Sequence, residues 1–193
     1  MPAVADKPKT SSILPDRHLL EARAVLLFGP IEPKVTRDVV RQLLVLDQMS
    51  RTKPIKVFVN SPGGLADDGF AIFDMMRFVT APVYSIVTGL AASAATIVMV
   101  APPRDRRLIM PHSRVMMHQP SIGIRGTAAD IAISAKEIIR LRRKANEMFV
   151  KETGQPLEKI EKDMHRDYWM SAEEATAYGL AGRIVITADE IPS

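Results

Sequence analysis

The chain has 193 residues, which at ~100–200 residues per domain means one domain, or one domain with an appendage. Hydrophobic residues make up 47% and charged residues 25%, which excludes wholesale disorder. There are no cysteines, which excludes disulfides, thiolate metal sites and a cysteine nucleophile together. The net charge is 26 − 22 = +4 and aromatics are only 5%. The basic residues are scattered, densest at Arg104–Arg107 and Arg140–Lys144, without the stacking aromatics of a nucleic-acid groove. The longest weakly polar run, residues 89–101, has 13 residues and contains Ser93 and Thr96; a membrane span needs ~20 apolar residues. The N-terminus lacks the apolar core of a signal peptide. A soluble, cytoplasmic protein is expected.

Residues 1–12 are polar and contain Pro2, Lys7, Pro8 and Lys9. They read as a flexible N-terminal arm. The arm is carried to residue 19, with a single domain over 20–193. Residues 24–28 (AVLLF) are a short apolar run closed by Gly29-Pro30, the pattern of a buried strand. Val35, Val39, Leu43 and Leu46 recur at helical spacing. Residues 55–59 (IKVFV) are a second strand. Ile72, Met75, Met76 and Val79 mark a helix that Asp67 or Asp68 is placed to cap. Residues 83–87 (VYSIV) are a third strand, and a small-residue helix follows over 93–100. Residues 114–118 (RVMMH) are a further strand. Ile131, Ala135, Ile138, Leu141, Ala145 and Met148 form one apolar seam on a long helix that ends at Gly154. Ser171 with Glu174 makes a capping box, and residues 183–187 (RIVIT) close the chain as a strand. This alternation predicts an α/β fold with a mostly parallel sheet.

Three places carry chemistry. Ser93 lies in GLAASAAT, after a strand and at a helix start, where small neighbours admit a substrate backbone and free N–H groups face a developing oxyanion. An N-cap serine explains the same spacing. Asn60-Ser61-Pro62-Gly63-Gly64 follows a strand; its glycines can turn backbone amides toward a ligand or simply make a βα turn. His118 ends a strand, where catalytic groups gather in α/β folds but structural histidines also sit. His18 and His112 are peripheral, and His165 is awkwardly close to Asp167. Asp167 falls in HRDYWMS, read as a loop between two helices. The phosphate loop, the dinucleotide fingerprint, HExxH and GxSxG are all absent. No cofactor and no metal are implied.

In order, FVNSPGG (58–64), GLAASAAT (89–96), SRVMMHQP (113–120), GTAADI (126–131), TGQ (153–155) and RDYWMSAEEATAYGL (166–180) resemble the proteolytic subunit of the Clp protease family. The resemblance covers residues 20–188. It implies a crotonase-like spiral of ββα units with a protruding long handle helix. Ser93 matches the family's nucleophile, His118 its general base and Asp167 the acid that orients the histidine. The backbone N–H groups of Gly64 and Ala94 match the oxyanion hole. Leu65 and Ala66, with Ser121 and Ile122, match the strands that hold an extended substrate. Arg166 matches a ring–ring contact. The family implies two stacked heptameric rings, homomeric or mixed with a paralogue, unfolded protein substrates and a separate AAA+ ATPase. It implies neither nucleic acid nor membrane as a partner.

Three departures from that pattern stand out. The segment before Ala24 lacks the family's N-terminal gating loop. Lys56 replaces an aromatic in the ATPase-docking pocket, whose apolar character is left to Phe58, Ile86, Leu108 and Met110. Asp67-Asp68 follows the oxyanion loop, as a helix cap or as negative charge that disfavours acidic substrates. Two rival readings remain, a non-catalytic subunit of a mixed ring and an acyl-CoA hydratase or isomerase. The complete Ser93–His118–Asp167 set argues against the first, and the histidine strand end against the second.

Overall fold

The computed structural model describes residues 13–121 and 123–192, with side chains from Arg17 onward. Residues 1–12, Ile122 and Ser193 lie outside the described residues.

The chain enters through helix α1 (Ile13–Glu21). Arg17 pairs with Glu21 at 2.9 Å across one turn, and Leu20 packs onto the main core. This helix crosses the boundary that the sequence placed at residue 19, so 13–19 is helical where a flexible arm was expected. The helix turns into strand β1 (Ala24–Phe28) through Arg23, whose φ is 53°. The Arg23 guanidinium donates to the carbonyls of Leu46, Ser50, Lys53 and Pro54 at 2.9–3.0 Å. Four acceptors offset the strain of a left-handed non-glycine residue.

Helix α2 (Pro33–Met49) starts on proline, whose missing N–H costs nothing in a first turn. It buries Val39, Leu43 and Leu46 at the expected spacing. Strand β2 (Ile55–Ser61) alternates buried and half-buried residues over its first five positions, and helix α3 (Ala66–Phe78) follows. Leu65 is the N-cap of α3, with no side-chain cap. Asp67 or Asp68 was expected to cap this helix; instead both lie in its first turn, where a carboxylate still meets the positive end of the helix.

Strand β3 (Val83–Ala92) is five residues longer than the apolar run suggested. Its first half pairs with strand β4 (Arg107–Ile109) and its second half with strand β5 (Arg114–Met117). Between them the chain bends at Gly89, whose N–H is taken by Ser113 Oγ at 2.9 Å. Helix α4 (Ala94–Met99) springs from the far end of β3 and is buried throughout. Helix α5 (Ala128–Thr153) opens on a Thr127–Asp130 capping box and ends at left-handed Gly154. Helix α6 (Leu157–Asp163), strand β6 (Tyr168–Met170), helix α7 (Ala172–Tyr178) and strand β7 (Arg183–Ile184) complete the chain. The Ser171–Glu174 capping box opens α7 as expected.

Among the described residues the sheet runs β1-β2-β3-β4-β7, with β5 on β3 and β6 on β5. Every pairing is parallel except β5 with β6. The main core lies between this sheet and helices α2, α3 and α4. A smaller cluster of Ile86, Leu108 and Val185 lies on the other face, flanked by Phe58, Tyr84 and Met110. Ile86 and Leu108 are wholly buried. The apolar surface on that face is thus carried by Leu26, Phe28 and Phe58 instead, with Lys56 half-buried beside them.

Of the apolar seam of α5, Ala145 is buried and Leu141 and Met148 pack on the main core, whereas Ile131 is exposed. Off the seam, Phe149 is buried and Ile133 and Ile139 are exposed. The first half of this helix leaves unburied side chains that are each worth ~1.5–3 kcal/mol when fully covered. No helix among the described residues is long and apolar enough to cross a membrane.

Candidate active site

The β3–β5 pairing ends at Ala92 and Met116. One residue further along each strand's direction lie Ser93 and Met117, and His118 follows. Ser93 N donates to Met116 O at 2.9 Å. Ser93 is the N-cap of α4, yet its side chain caps nothing. Its backbone is held at φ 55° and ψ −124°, a conformation costly for a non-glycine residue and typical of functional sites. That turn aims Oγ at His118 Nε2, 2.7 Å away. The cap explanation for Ser93 is thereby removed, because its hydroxyl is used elsewhere.

His118 Nδ1 meets Asp167 Oδ1 at 3.1 Å. The sequence placed Asp167 in a loop between two helices. It lies instead directly before β6, a three-residue strand too short to show a period. The antiparallel register Val115–Met170, Met116–Trp169, Met117–Tyr168 ends one residue short of His118 and Asp167 and so brings the two side by side. His18, His112 and His165 do not enter this arrangement.

The Asn60–Gly64 turn closes the other side. Ile31 N donates to Gly63 O at 2.8 Å, and Leu65 N to Ile31 O at 3.0 Å. Gly64 therefore makes an isolated parallel bridge with Ile31. Gly64 has φ 157°, and a Cβ there would lie 2.1 Å from Ile31 O. A Cβ on Gly63 would lie 2.7 Å from Ser93 Cβ and 2.9 Å from Ala94 N. Only glycine permits this approach of the loop to the serine. Among the described residues the N–H groups of Gly64 and Ala94 donate to no backbone acceptor outside helices and strands.

These groups face one cavity of about 600 Å³. Gly64, Leu65, Ala66, Ser93, His118 and Ser121 line it, with apolar walls from Phe70, Ile97, Leu141 and Phe149. Asp67 and Asp68 also border it. Ile122, expected beside Ser121, lies outside the described residues. Arg166 is exposed one residue before Asp167 and enters no ion pair among the described residues. Among the described residues no group of three His, Cys, Asp or Glu side chains is placed to hold a metal ion.

A cluster that the sequence did not disclose flanks the acid. Asp163, at the end of α6, accepts from Lys159 Nζ at 2.6 Å and from the Tyr178 hydroxyl at 2.8 Å. Burial, with the carboxylate beside it, pushes the Tyr178 phenol far above its ordinary range and keeps it a donor. Tyr178 in turn packs against Tyr168, with ring centroids 5.9 Å apart, next to Asp167. The signal was an i, i+4 Lys–Asp pair, which ordinarily marks a solvated helix face.

The Ser–His–Asp chain beside a substrate-sized cleft, on an α/β scaffold, is the arrangement of a serine peptidase. The chain belongs to the Clp protease family: that family's model matches residues 9–188. It is 46% identical over 176 residues to the ATP-dependent Clp protease proteolytic subunit 2 of Treponema denticola, covering 91% of this chain and 88% of that one. It is 50% identical to the corresponding subunit 2 of Gluconobacter oxydans, covering 90% of this chain and 78% of the relative. A solved structure of a ClpP1 point mutant from Listeria monocytogenes superposes with a TM-score of 0.84 at 38% identity, covering 90% of this chain and 96% of that one. The fold is accordingly the crotonase-like fold of that family, and the chain is a Clp-type serine peptidase subunit.

Proposed function

We propose that residues 20–193 act as one peptidase domain that hydrolyses unfolded polypeptides through Ser93, His118 and Asp167. The observation that carries this is the continuous contact from Ser93 Oγ to His118 Nε2 and from His118 Nδ1 to Asp167 Oδ1, at 2.7 and 3.1 Å. His118 takes the Ser93 proton as Oγ attacks the peptide carbonyl. The N–H groups of Gly64 and Ala94 hold the oxyanion, each donor being worth ~3–4 kcal/mol in the transition state. Asp167 keeps the His118 proton on Nδ1 and stabilises the imidazolium. His118 then returns the proton to the leaving amine. Water, deprotonated by the same histidine, releases the acyl group from Ser93. Leu65 and Ala66 on one side, with Ser121 and Ile122 on the other, hold the substrate as an extended strand.

The assembly is two stacked heptameric rings, with or without a paralogue subunit. The exposed isoleucines of the α5 handle, with Arg166, meet the opposite ring. An AAA+ ATPase supplies unfolding, since this chain carries no phosphate loop. It docks on the face of Leu26, Phe28 and Phe58, where Lys56 makes the docking chemistry more polar than usual. Relatives named as ATP-dependent Clp protease subunits support this partner. The reading also places the enzyme in the cytoplasm, which cell fractionation tests.

Native mass spectrometry after treatment with a fluorophosphonate probe tests the whole reading. A labelled assembly of about fourteen subunits is expected, with no label in Ser93→Ala. Small oligomers that take up no label would instead support a subunit needing a partner chain. The aligned triad favours the autonomous peptidase over that reading.

A further inference from the structure

The two ends of the triad are held by unlike means. His118 continues a strand that pairs with both β3 and β6. The Asp167 side chain is 60% exposed, and among the described residues its one side-chain partner is His118. A largely solvated carboxylate with a single hydrogen bond holds its own backbone only weakly, because a hydrogen bond to a charged group returns about 1.5–3 kcal/mol before solvent weakens it, close to the ~1–2 kcal/mol that ordering one residue costs. Other groups must hold residue 167 opposite residue 118.

On its C-terminal side that task falls to β6 and the Tyr168–Tyr178 contact. On its N-terminal side the turn 164–166 leaves α6 with two carbonyls aimed at a single residue. Gln119 N donates to Met164 O at 2.7 Å, and Gln119 Nε2 donates to His165 O at 2.9 Å. Gln119 is covalently next to His118. Its side-chain bond ends two residues before Asp167. The path from His118 through Gln119, across to His165, along to Asp167 and back to His118 Nδ1 is therefore a closed ring. The ladder alone would leave this ring open at its N-terminal edge.

We infer that Gln119 is a positioning residue for the triad: its side-chain amide fixes the turn that presents Asp167 to His118. Gln119 touches neither Ser93 nor the cleft. Its effect on turnover passes through Asp167, which distinguishes it from a residue that merely supports the fold. The inference rests on the triad reading given above.

A double-mutant cycle in the assembled protein tests it. Gln119→Met keeps the length of the side chain and removes its donors. Gln119→Glu keeps the shape but places an acceptor against the His165 carbonyl. Cleavage of a short unstructured fluorogenic peptide is measured for each, alone and with Asp167→Asn. Alone, Gln119→Met lowers kcat ten- to fifty-fold with KM within twofold, and Gln119→Glu lowers it at least as much. Combined with Asp167→Asn, either costs less than a further twofold, because the acid it positions is already disabled. An equal loss in both backgrounds, an unchanged kcat, or a rise in KM alone overturns the inference. Failure of both variants to assemble does so too, by assigning Gln119 to folding. If Asp167→Asn keeps wild-type kcat, the triad reading itself has failed, a result distinct from an additive cycle.

Discussion

Asp167 meets His118 one residue beyond the end of the β5–β6 ladder, whose last pair is Met117–Tyr168. The acid–base contact is thus built from strand register and not from a designed loop. A slip of one residue would turn the side chain to the other face of the sheet. Asp167→Asn keeps the register and removes the charge. It should lower kcat roughly a thousand-fold to ten-thousand-fold, while labelling of Ser93 by a fluorophosphonate slows in parallel. Retention of more than a tenth of wild-type turnover would mean that His118 needs no acid.

The glycine at position 64 meets a stricter demand. Any Cβ there would lie 2.1 Å from the Ile31 carbonyl oxygen, a backbone atom that cannot step aside cheaply. Gly64→Ala should therefore displace the loop and its N–H together. A loss of kcat of at least a hundred-fold is expected, with an assembly of unchanged mass. Gly29→Ala serves as the control for left-handed strain alone, since a Cβ there meets nothing within 4 Å.

Glu152 joins two arginines at the end of α5. It binds Arg107, whose side chain is 2% exposed, and Arg77 at 2.7 Å. Arg107 also donates to the carbonyls of Pro102 and Glu152 at 2.6 and 2.7 Å. Glu152→Ala would leave a buried guanidinium without its counter-charge, at a cost of about 3–5 kcal/mol. Chemical denaturation should show that loss in the midpoint, with the slope preserved. A change below 1 kcal/mol would show that water reaches Arg107.

Asp67 and Asp68 border the cleft, and among the described residues neither has a hydrogen-bond or ion-pair partner on its side chain. Lys144 lies over the Phe70 ring at 3.9 Å and is not among the residues that line the cleft. Among the described residues no lysine or arginine lines the cleft, so the two carboxylates leave its mouth negative. Matched peptides with Glu and Gln entering the cleft should differ about tenfold in kcat/KM at low salt, Gln being favoured. The double change Asp67→Asn with Asp68→Asn, or added salt, should shrink that ratio. An unchanged ratio would return both residues to the helix terminus alone.

Acid should loosen the start of α5. Hydrogen bonds from the Thr127 hydroxyl and backbone hold the Asp130 carboxyl below its ordinary range. A depressed folded value means that the contribution is present above the unfolded carboxyl range and fades as pH falls through the folded value. Amide exchange over residues 128–132 should accelerate in that window. Asp130→Asn should exchange fast at every pH.

Much of the frame could be read from residues alone. Strands β1, β2 and β3, the glycine end of α5 and the capping box of α7 announce themselves through runs and caps that act locally. The failures share one cause. Arg107 sits in a dense basic cluster and reads as surface, yet it starts β4 and is buried by a counter-charge 45 residues away. Asp47 looks like a helix-face carboxylate, yet it accepts from Thr80 N and Ala81 N at 2.9 and 2.8 Å. The contacts of His118 with Ser93 and Asp167 were suggested by motif resemblance, not by periodicity, because the second depends on a three-residue strand. Along α5 the seam is real in sequence, but among the described residues its first half, Ile131, Ala135 and Ile138, joins no core cluster.

The chain contains one tryptophan, and it is Trp169, two residues past Asp167. It is 46% exposed, and the Arg114 guanidinium lies 4.9 Å from its ring centroid. Arg114 belongs to the strand that leads to His118. The molecule thus carries an unlabelled optical gauge of its own reactive geometry. If β6 peels from β5, the indole leaves the guanidinium and enters water, and its emission moves to longer wavelength. A stopped-flow fluorimeter could then time the assembly of the site, with no substrate present.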